Sequence, residues 1–163
     1  LVSNYSSDVV LEVFEGFRNF VKEKVDKYSG RIWEWEGDGG VAVFHENVSE
    51  GVLCAIEISL HLVLFNNLIN TLPENIKIRL GSHAGWITYK ENYQEMALSI
   101  KDIAEDIQKQ AAKHNGLVIS DEVYRHLYAK IRNSFKTFNK IDMSLFEFDK
   151  ENLIFSKQLL KSA

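Results

Sequence analysis

The segment that most constrains the fold runs from Arg31 to His45 and centres on Gly-Asp-Gly-Gly. Residues 31–36 alternate in polarity, which is the pattern of a strand with one buried face. Glycines around Asp38 permit positive φ, so a tight turn is expected there, and residues 41–44 form a short apolar return strand. The segment predicts a β-hairpin. On turn statistics alone, a plain structural turn is the favoured interpretation of its Asp-Gly pair.

Amphipathic helices are predicted on both sides of this hairpin. Residues 8–28 and 49–71 place apolar side chains at three- and four-residue spacing. Beyond Pro73 the pattern predicts strands at 76–84, 86–89, 117–119, 135–138 and 145–148, a helix at 98–114 and a short helix from Ser120 to Ala129. Strands interleaved with helices predict a mixed sheet that helices cover on one face.

The composition fits a single cytoplasmic domain. The 163 residues are 45% hydrophobic, enough for a core, and their net charge of −4 disfavours a nucleic-acid or anionic-membrane surface. Cys54 is the only cysteine, which excludes a disulfide framework and a cysteine metal cage. No signal peptide is recognisable, and polar residues interrupt the longest apolar stretch, 52–69, so we expect no membrane segment in this chain. The missing initiator Met indicates a fragment of a longer protein.

Four segments, in family order, carry a resemblance to a known family. They are the stretch from Tyr28 to Phe44, Ile78-Arg-Leu-Gly-Ser-His-Ala-Gly85, the helix Ile103–Ala111, and Gly116-Leu-Val-Ile-Ser-Asp-Glu-Val-Tyr124. Together they resemble the catalytic domain of class III adenylyl and guanylyl cyclases. The resemblance implies an α+β, ferredoxin-like nucleotidyl cyclase fold with a mixed, mostly antiparallel sheet covered by helices on one face. It places a cyclase-homology domain at 1–149, without the family's first strand, and a tail at 150–163.

The chemistry of that family gives the implied site its roles. A ribose 3′-hydroxyl attacks the α-phosphate of a nucleoside triphosphate, pyrophosphate leaves, and two metal ions assist. An Asn and an Arg on the third helix position the ribose and stabilise the transition state. The resemblance assigns Asp102 and Asp106 to these two catalytic positions and Asp38 to metal binding. It implies Mg²⁺ or Mn²⁺ if the domain is active, and otherwise no cofactor.

Three further residues are assigned to substrate binding by the same resemblance: Glu34, Glu95 and Lys140. Glu34 occupies the position that reads the base, where guanylyl cyclases carry Glu and adenylyl cyclases carry Lys. Pyrimidine cyclases of the same family also alter this position, so the identity of the base stays open. A solvated lysine is the favoured interpretation of Lys140. Likewise, a hydrogen-bonded structural role is favoured over metal binding for His83.

The sequence departs from the family at the catalytic positions. The strand that carries the first metal aspartate is absent, and carboxylates at Asp102 and Asp106 would repel a phosphate. Trp35 is bulky where the family has a small residue. Asp102, Glu105 and Asp106 could form a new acidic metal site, but a solvated face is the favoured interpretation. In such a face, Lys101–Glu105 and Glu105–Lys109 are ordinary i,i+4 pairs.

Two function classes follow. The favoured one is a catalytically degenerate, dimerising and possible nucleotide-binding regulatory module of a cytosolic signalling protein. The alternative is an active cyclase that makes a 3′,5′-cyclic nucleotide and pyrophosphate in the full-length dimer. Both imply a homodimer, a nucleoside triphosphate and an upstream sensor or effector domain, with no nucleic-acid partner. An RNA-binding sheet is disfavoured because the strands lack the aromatic-basic motif.

Overall fold

A computed structural model of the chain describes residues 6–45, 47–86, 98–138 and 143–150. The chain divides into two units, Leu1–Lys77 and Ile78–Ala163. The predicted strand at 86–89 lies outside the described residues apart from Trp86, which is not in a strand. Of the predicted tail, only Lys150 is described.

The first unit contains two helices and a hairpin: α1 (Ser7–Lys27), β1 (Arg31–Glu36), β2 (Gly39–Val43) and α2 (Val48–Leu68). The predicted apolar stripe of α1 is buried and includes Val10, Val13, Phe17 and Val25. Both helix predictions and the hairpin prediction are therefore confirmed, with helix ends that differ by a few residues.

The exit from α1 is a tight reversal of the chain. Ser29 adopts a positive φ of 57°, and the Gly30 N–H donates to the Val25 carbonyl at 2.9 Å, which is the hydrogen-bond pattern of a Schellman cap. The left-handed residue is thus Ser29 and not the glycine that follows it. Gly30 is required for another reason, because a Cβ there would overlap the ring of Phe44.

The hairpin strands pair with each other and, among the described residues, with no other strand. Glu36 lies opposite Gly39, so Gly37 and Asp38 form a two-residue turn, with Gly37 at a φ of 56°. Within the described ranges the hairpin therefore forms a two-stranded sheet of its own, whereas the sequence predicts it among the strands of the mixed sheet. A register shift before Glu34 adds a bulge that the alternating sequence conceals.

Helix α2 is apolar and largely buried. Asn47 caps its first turn by accepting the Ser49 N–H at 2.9 Å. By length and composition α2 could cross a membrane, but 56% of its apolar stretch is buried inside the structure. This burial is typical of a core helix.

The second unit contains the mixed sheet. Its strands are β3 (Arg79–Ser82), β4 (Gly116–Ser120), β5 (Phe135–Phe138) and β6 (Leu145–Phe148), in the order β3-β4-β6-β5. β3 is parallel to β4, and the other two pairings are antiparallel. The helices are α3 (Leu98–Asp106), α4 (Asp121–His126) and α5 (Ala129–Arg132). The predicted α+β fold with a mixed sheet is confirmed.

The strand predicted at 76–84 is shorter than expected because two asparagine side chains replace strand pairing before it. The Asn66 amide bonds both the N–H and the carbonyl of Ile76, at 2.8 and 3.0 Å. The Asn115 side chain accepts the Ile78 N–H at 3.1 Å. These backbone groups are already satisfied, so β3 begins at Arg79.

Helix α3 changes character after Asp106. Residues Ile107–Ala111 form a π-helical turn, where a single α-helix was predicted through 114. This turn packs on β3 and β4, with Ile107 in the core. The approach to β3 is close at Gly81, where a Cβ would lie 2.5 Å from the Gln108 nitrogen and 2.6 Å from the Ala104 oxygen.

We expect Gly81→Ala to destabilise the protein, because its methyl group would meet backbone atoms that cannot rotate away. Overpacking of this kind costs about 1–3 kcal/mol. Urea unfolding should show a lower midpoint with an unchanged slope. Gly39→Ala is the matched control, since a Cβ there meets nothing within 4 Å. Equal midpoints for the two variants would contradict the close contact.

Candidate functional site

Asp38, the proposed metal ligand, lies at the tip of the hairpin. Gly37 supplies the positive φ that a type II′ turn needs at its first central position. The Trp35 indole N–H donates to the Gly37 carbonyl at 3.1 Å and braces the turn. The Asp38 side chain is exposed, which leaves it accessible to a ligand.

Within the part of the chain that the structure describes, the surroundings of Asp38 do not supply the ligands of a pair of metal ions. Across the described ranges, no three His, Cys, Asp or Glu side chains lie close enough together to hold a metal ion. A two-metal site needs several oxygen ligands arranged around both ions. Asp38 alone does not provide such a set, and its role as a metal ligand stays a prediction.

Glu34, the proposed base-reading residue, is exposed on β1. It follows the bulge and lies opposite Val41. The neighbouring Trp35 is half-buried and packs against Phe17 of α1, with ring centroids 6.1 Å apart. The indole therefore contributes to packing, while the carboxylate of Glu34 faces outward.

Asp102 and Asp106 lie one turn apart on α3, and both are exposed. The predicted pairs of Glu105 are confirmed: Lys101 lies 3.6 Å from its carboxylate and Lys109 lies 2.9 Å from it. The π-helical turn begins after Asp106, so it leaves the spacing of the two aspartates unchanged. This stretch of α3 therefore presents two carboxylates at the positions that the resemblance assigns to Asn and Arg.

Within each unit, the structure places two of the candidate residues on one element. Glu34 and Asp38 share the hairpin of the first unit, and Asp102 and Asp106 share α3 of the second. Glu95 and Lys140, both assigned to substrate binding, lie outside the described residues.

His83 has the structural role that was favoured for it. It follows β3, and its Nδ1 lies 2.9 Å from the Oγ of Ser120, which also caps α4 by accepting the Val123 N–H. Glu122 lies 3.6 Å from the same nitrogen. Burial lowers the pKa of His83, and the Glu122 charge opposes that shift. The ring thus joins the ends of two parallel strands.

A buried charged cluster on α2 was missed by sequence reasoning, which treated Glu57 and His61 as polar interruptions. Glu57 is 1% exposed, and Lys27 and Tyr28 donate to its carboxylate at 2.8 and 2.7 Å. His61 Nδ1 lies 3.6 Å from Glu57, and its buried Nε2 has no hydrogen-bond partner among the residues that the structure describes. A carboxylate in the middle of an apolar stretch was the available signal, but its partners at the end of α1 are about thirty residues away in sequence.

The fold is shared with solved nucleotidyl cyclase catalytic domains. The guanylate cyclase domain of RhGC from Catenaria anguillulae, solved in complex with GTP, is 14% identical with a TM-score of 0.73, over 90% of this chain and 87% of that one. The adenylyl cyclase CyaB from P. aeruginosa is 14% identical with a TM-score of 0.72, over 89% and 84% of the respective chains.

A third similar structure is the guanylyl cyclase domain of the RhoGC fusion protein from the aquatic fungus Blastocladiella emersonii. Its dimeric form is 16% identical with a TM-score of 0.71, over 90% of this chain and 86% of that one, and it has also been solved as a monomer. No protein-family model and no curated protein matches the sequence. At these identities the likeness establishes the fold: the chain has the architecture of a nucleotidyl cyclase catalytic domain.

We expect the free energy of unfolding to fall as the pH is lowered from 7.5 to 5.5. Burial lowers the pKa of both His61 and His83, although Glu57 and Glu122 oppose this. The unfolded chain therefore binds more protons than the folded chain near and below pH 6.5, and stability is lost there. His61→Asn and His83→Asn should each flatten this dependence in urea unfolding. The exposed His45→Asn should not, and an equal effect of all three would contradict the assignment.

Proposed function

We propose that this chain is a class III nucleotidyl cyclase-homology domain of a cytosolic signalling protein, and that it has lost catalysis. It acts as a dimerising, nucleotide-binding regulatory module that responds to an upstream sensor or effector domain. One observation carries the proposal: a chain with the cyclase fold exposes Asp102 and Asp106 on the helix that the resemblance assigns to Asn and Arg.

Electrostatics supports the loss of catalysis. Cyclisation builds negative charge on the α-phosphate, so hydrogen-bond donors or cations must surround it. Asp102 and Asp106 offer acceptors instead, and a carboxylate repels a triphosphate. Loss of one such donor costs roughly 10²–10³ in rate. Asp38 does not compensate, because no group of three potential metal ligands occurs among the described residues to hold a pair of metal ions.

Nucleotide binding is supported by the hairpin. The exposed Glu34 carboxylate can accept hydrogen bonds from the N–H groups of a guanine, which favours a purine nucleoside triphosphate as ligand. A divalent ion such as Mg²⁺ or Mn²⁺ would enter with the triphosphate and contact Asp38. The Catenaria domain of the same fold binds GTP, and the Blastocladiella domain forms a dimer. We extend both properties to this chain as part of the proposal.

An active cyclase is the second candidate, and the accessible Asp38 favours it. In that case a strand elsewhere in the full-length protein supplies a further carboxylate, and the dimer converts a nucleoside triphosphate to a 3′,5′-cyclic nucleotide and pyrophosphate. The two candidates differ in one measurable property, which is turnover.

We expect no cyclic product above background when the purified chain is incubated with ATP, GTP, CTP or UTP and Mn²⁺. The physical reason is the absence of donors at Asp102 and Asp106. Chromatography of the cyclic nucleotide and a pyrophosphate assay measure the result.

Two hairpin variants make the outcome decisive. Product from the natural chain that disappears in Asp38→Ala but persists in Glu36→Ala would contradict the degenerate assignment and establish the active cyclase. Glu36 is the matched control because it is also an exposed acid of the hairpin.

A further inference from the structure

The buried carboxylate of Glu57 is held by three residues from the end of α1. Lys27 Nζ donates to both of its oxygens, at 3.1 and 2.8 Å, and the Tyr28 hydroxyl donates to Oε2 at 2.7 Å. Lys24 Nζ lies 3.4 Å from Oε1. On its own helix, His61 Nδ1 lies 3.6 Å from Oε1. One side chain of α2 thus contacts two lysines in the last turn of α1 and the tyrosine that follows this helix.

The cluster keeps Glu57 ionised. Burial raises the pKa of this carboxyl, but hydrogen bonds from Lys27 and Tyr28 and the charges of Lys27 and Lys24 outweigh burial, so the pKa lies below its ordinary value. Burial, and after it the Glu57 charge, raise the pKa of the nearby Cys54 thiol to about 12, although the charges of Lys24 and Lys27 oppose this. Removing one member of a buried ion cluster leaves an uncompensated charge and is strongly unfavourable.

The hairpin begins directly after the end of α1 that contacts Glu57. Tyr28 follows the last residue of α1, Ser29 takes its positive φ, and β1 starts two residues after Ser29, at Arg31. Where the chain leaves the hairpin after β2, the Phe44 ring lies against Gly30 and against Gly51 in the first turn of α2. Both ends of the hairpin are therefore fixed within a few residues of the Glu57 cluster.

We infer that Glu57 is a positioning residue for the hairpin that carries Glu34 and Asp38. Its carboxylate fixes the end of α1 against α2. The orientation of β1, which follows the chain reversal at Ser29, is thereby fixed as well. Glu57 does not touch the proposed ligand and acts through Lys27 and Tyr28. The consequence for ligand binding rests on the proposed function, whereas the consequence for the hairpin does not.

The test is hydrogen exchange measured by mass spectrometry on Glu57→Gln, which keeps the shape of the side chain and removes its charge. We expect the backbone amides of the hairpin, residues 31–43, to exchange at least about tenfold faster. A hydrogen bond to a charged group changes an opening equilibrium by about one to two powers of ten. Amides of β4 and β5 should keep their natural rates. Tyr28→Phe, which removes only the 2.7 Å hydrogen bond, should show a smaller effect at the same amides.

Glu23→Gln is the matched control. Glu23 also pairs with Lys24, at 3.3 Å, but its side chain is 74% exposed, so its loss should leave the hairpin amides unchanged. Hairpin exchange within twofold of the natural rate in both Glu57→Gln and Tyr28→Phe would overturn the inference. So would a uniform increase that includes β4 and β5, because that result would indicate global destabilisation.

Calorimetric titration with GTP and Mn²⁺ separates this inference from the proposed function. If the natural chain binds GTP, Glu57→Gln should weaken the affinity and Glu23→Gln should not. Unchanged affinity with a loosened hairpin would overturn the positioning of the ligand site by Glu57. If the natural chain binds no nucleotide, the proposed function fails, and the exchange rates still decide the role of Glu57.

Discussion

A negative charge buried in an apolar helix is the constraint on which the first unit depends. Glu57 is almost completely inaccessible to solvent, so its charge is tolerable only with donors close by. Lys27 and Tyr28 supply them from α1, and this fixes the helix pair at the point where the hairpin starts. The buried carboxylate thereby links the packing of α1 and α2 to the placement of Asp38 and Glu34, although it touches neither.

Much of the fold could be predicted because its signals are local. The apolar stripes of the two long helices, the Gly-Asp turn and the strands at 135–138 and 145–148 all follow from neighbouring residues. The predicted bounds of β3 and α3 were wrong because groups that are distant in sequence determine them. Asn66 and Asn115 satisfy backbone groups before β3, and the π-helical turn after Asp106 packs against a strand that is remote in sequence.

The candidate site divides in the same way. The hairpin placed Asp38 at an accessible turn, as its glycines indicated, and the exposure of Asp102 and Asp106 agrees with the solvated face that the sequence allowed. Glu57 was missed because a single sequence shows a carboxylate but not the lysines that will surround it. Fold likeness at about 15% identity establishes the architecture, and the chemistry must be judged from the side chains.

Under the proposed function, acidic side chains on α3 stand where an active cyclase would hold a phosphate. The most direct test of this claim is the affinity for GTP with Mn²⁺, measured by titration calorimetry, in Asp106→Arg beside Glu15→Arg. Both substitutions replace an exposed acid by arginine, but only the first restores a donor at the proposed phosphate position. We expect the affinity for GTP to be at least about tenfold tighter for Asp106→Arg than for Glu15→Arg. Equal affinities for the two variants would contradict this claim.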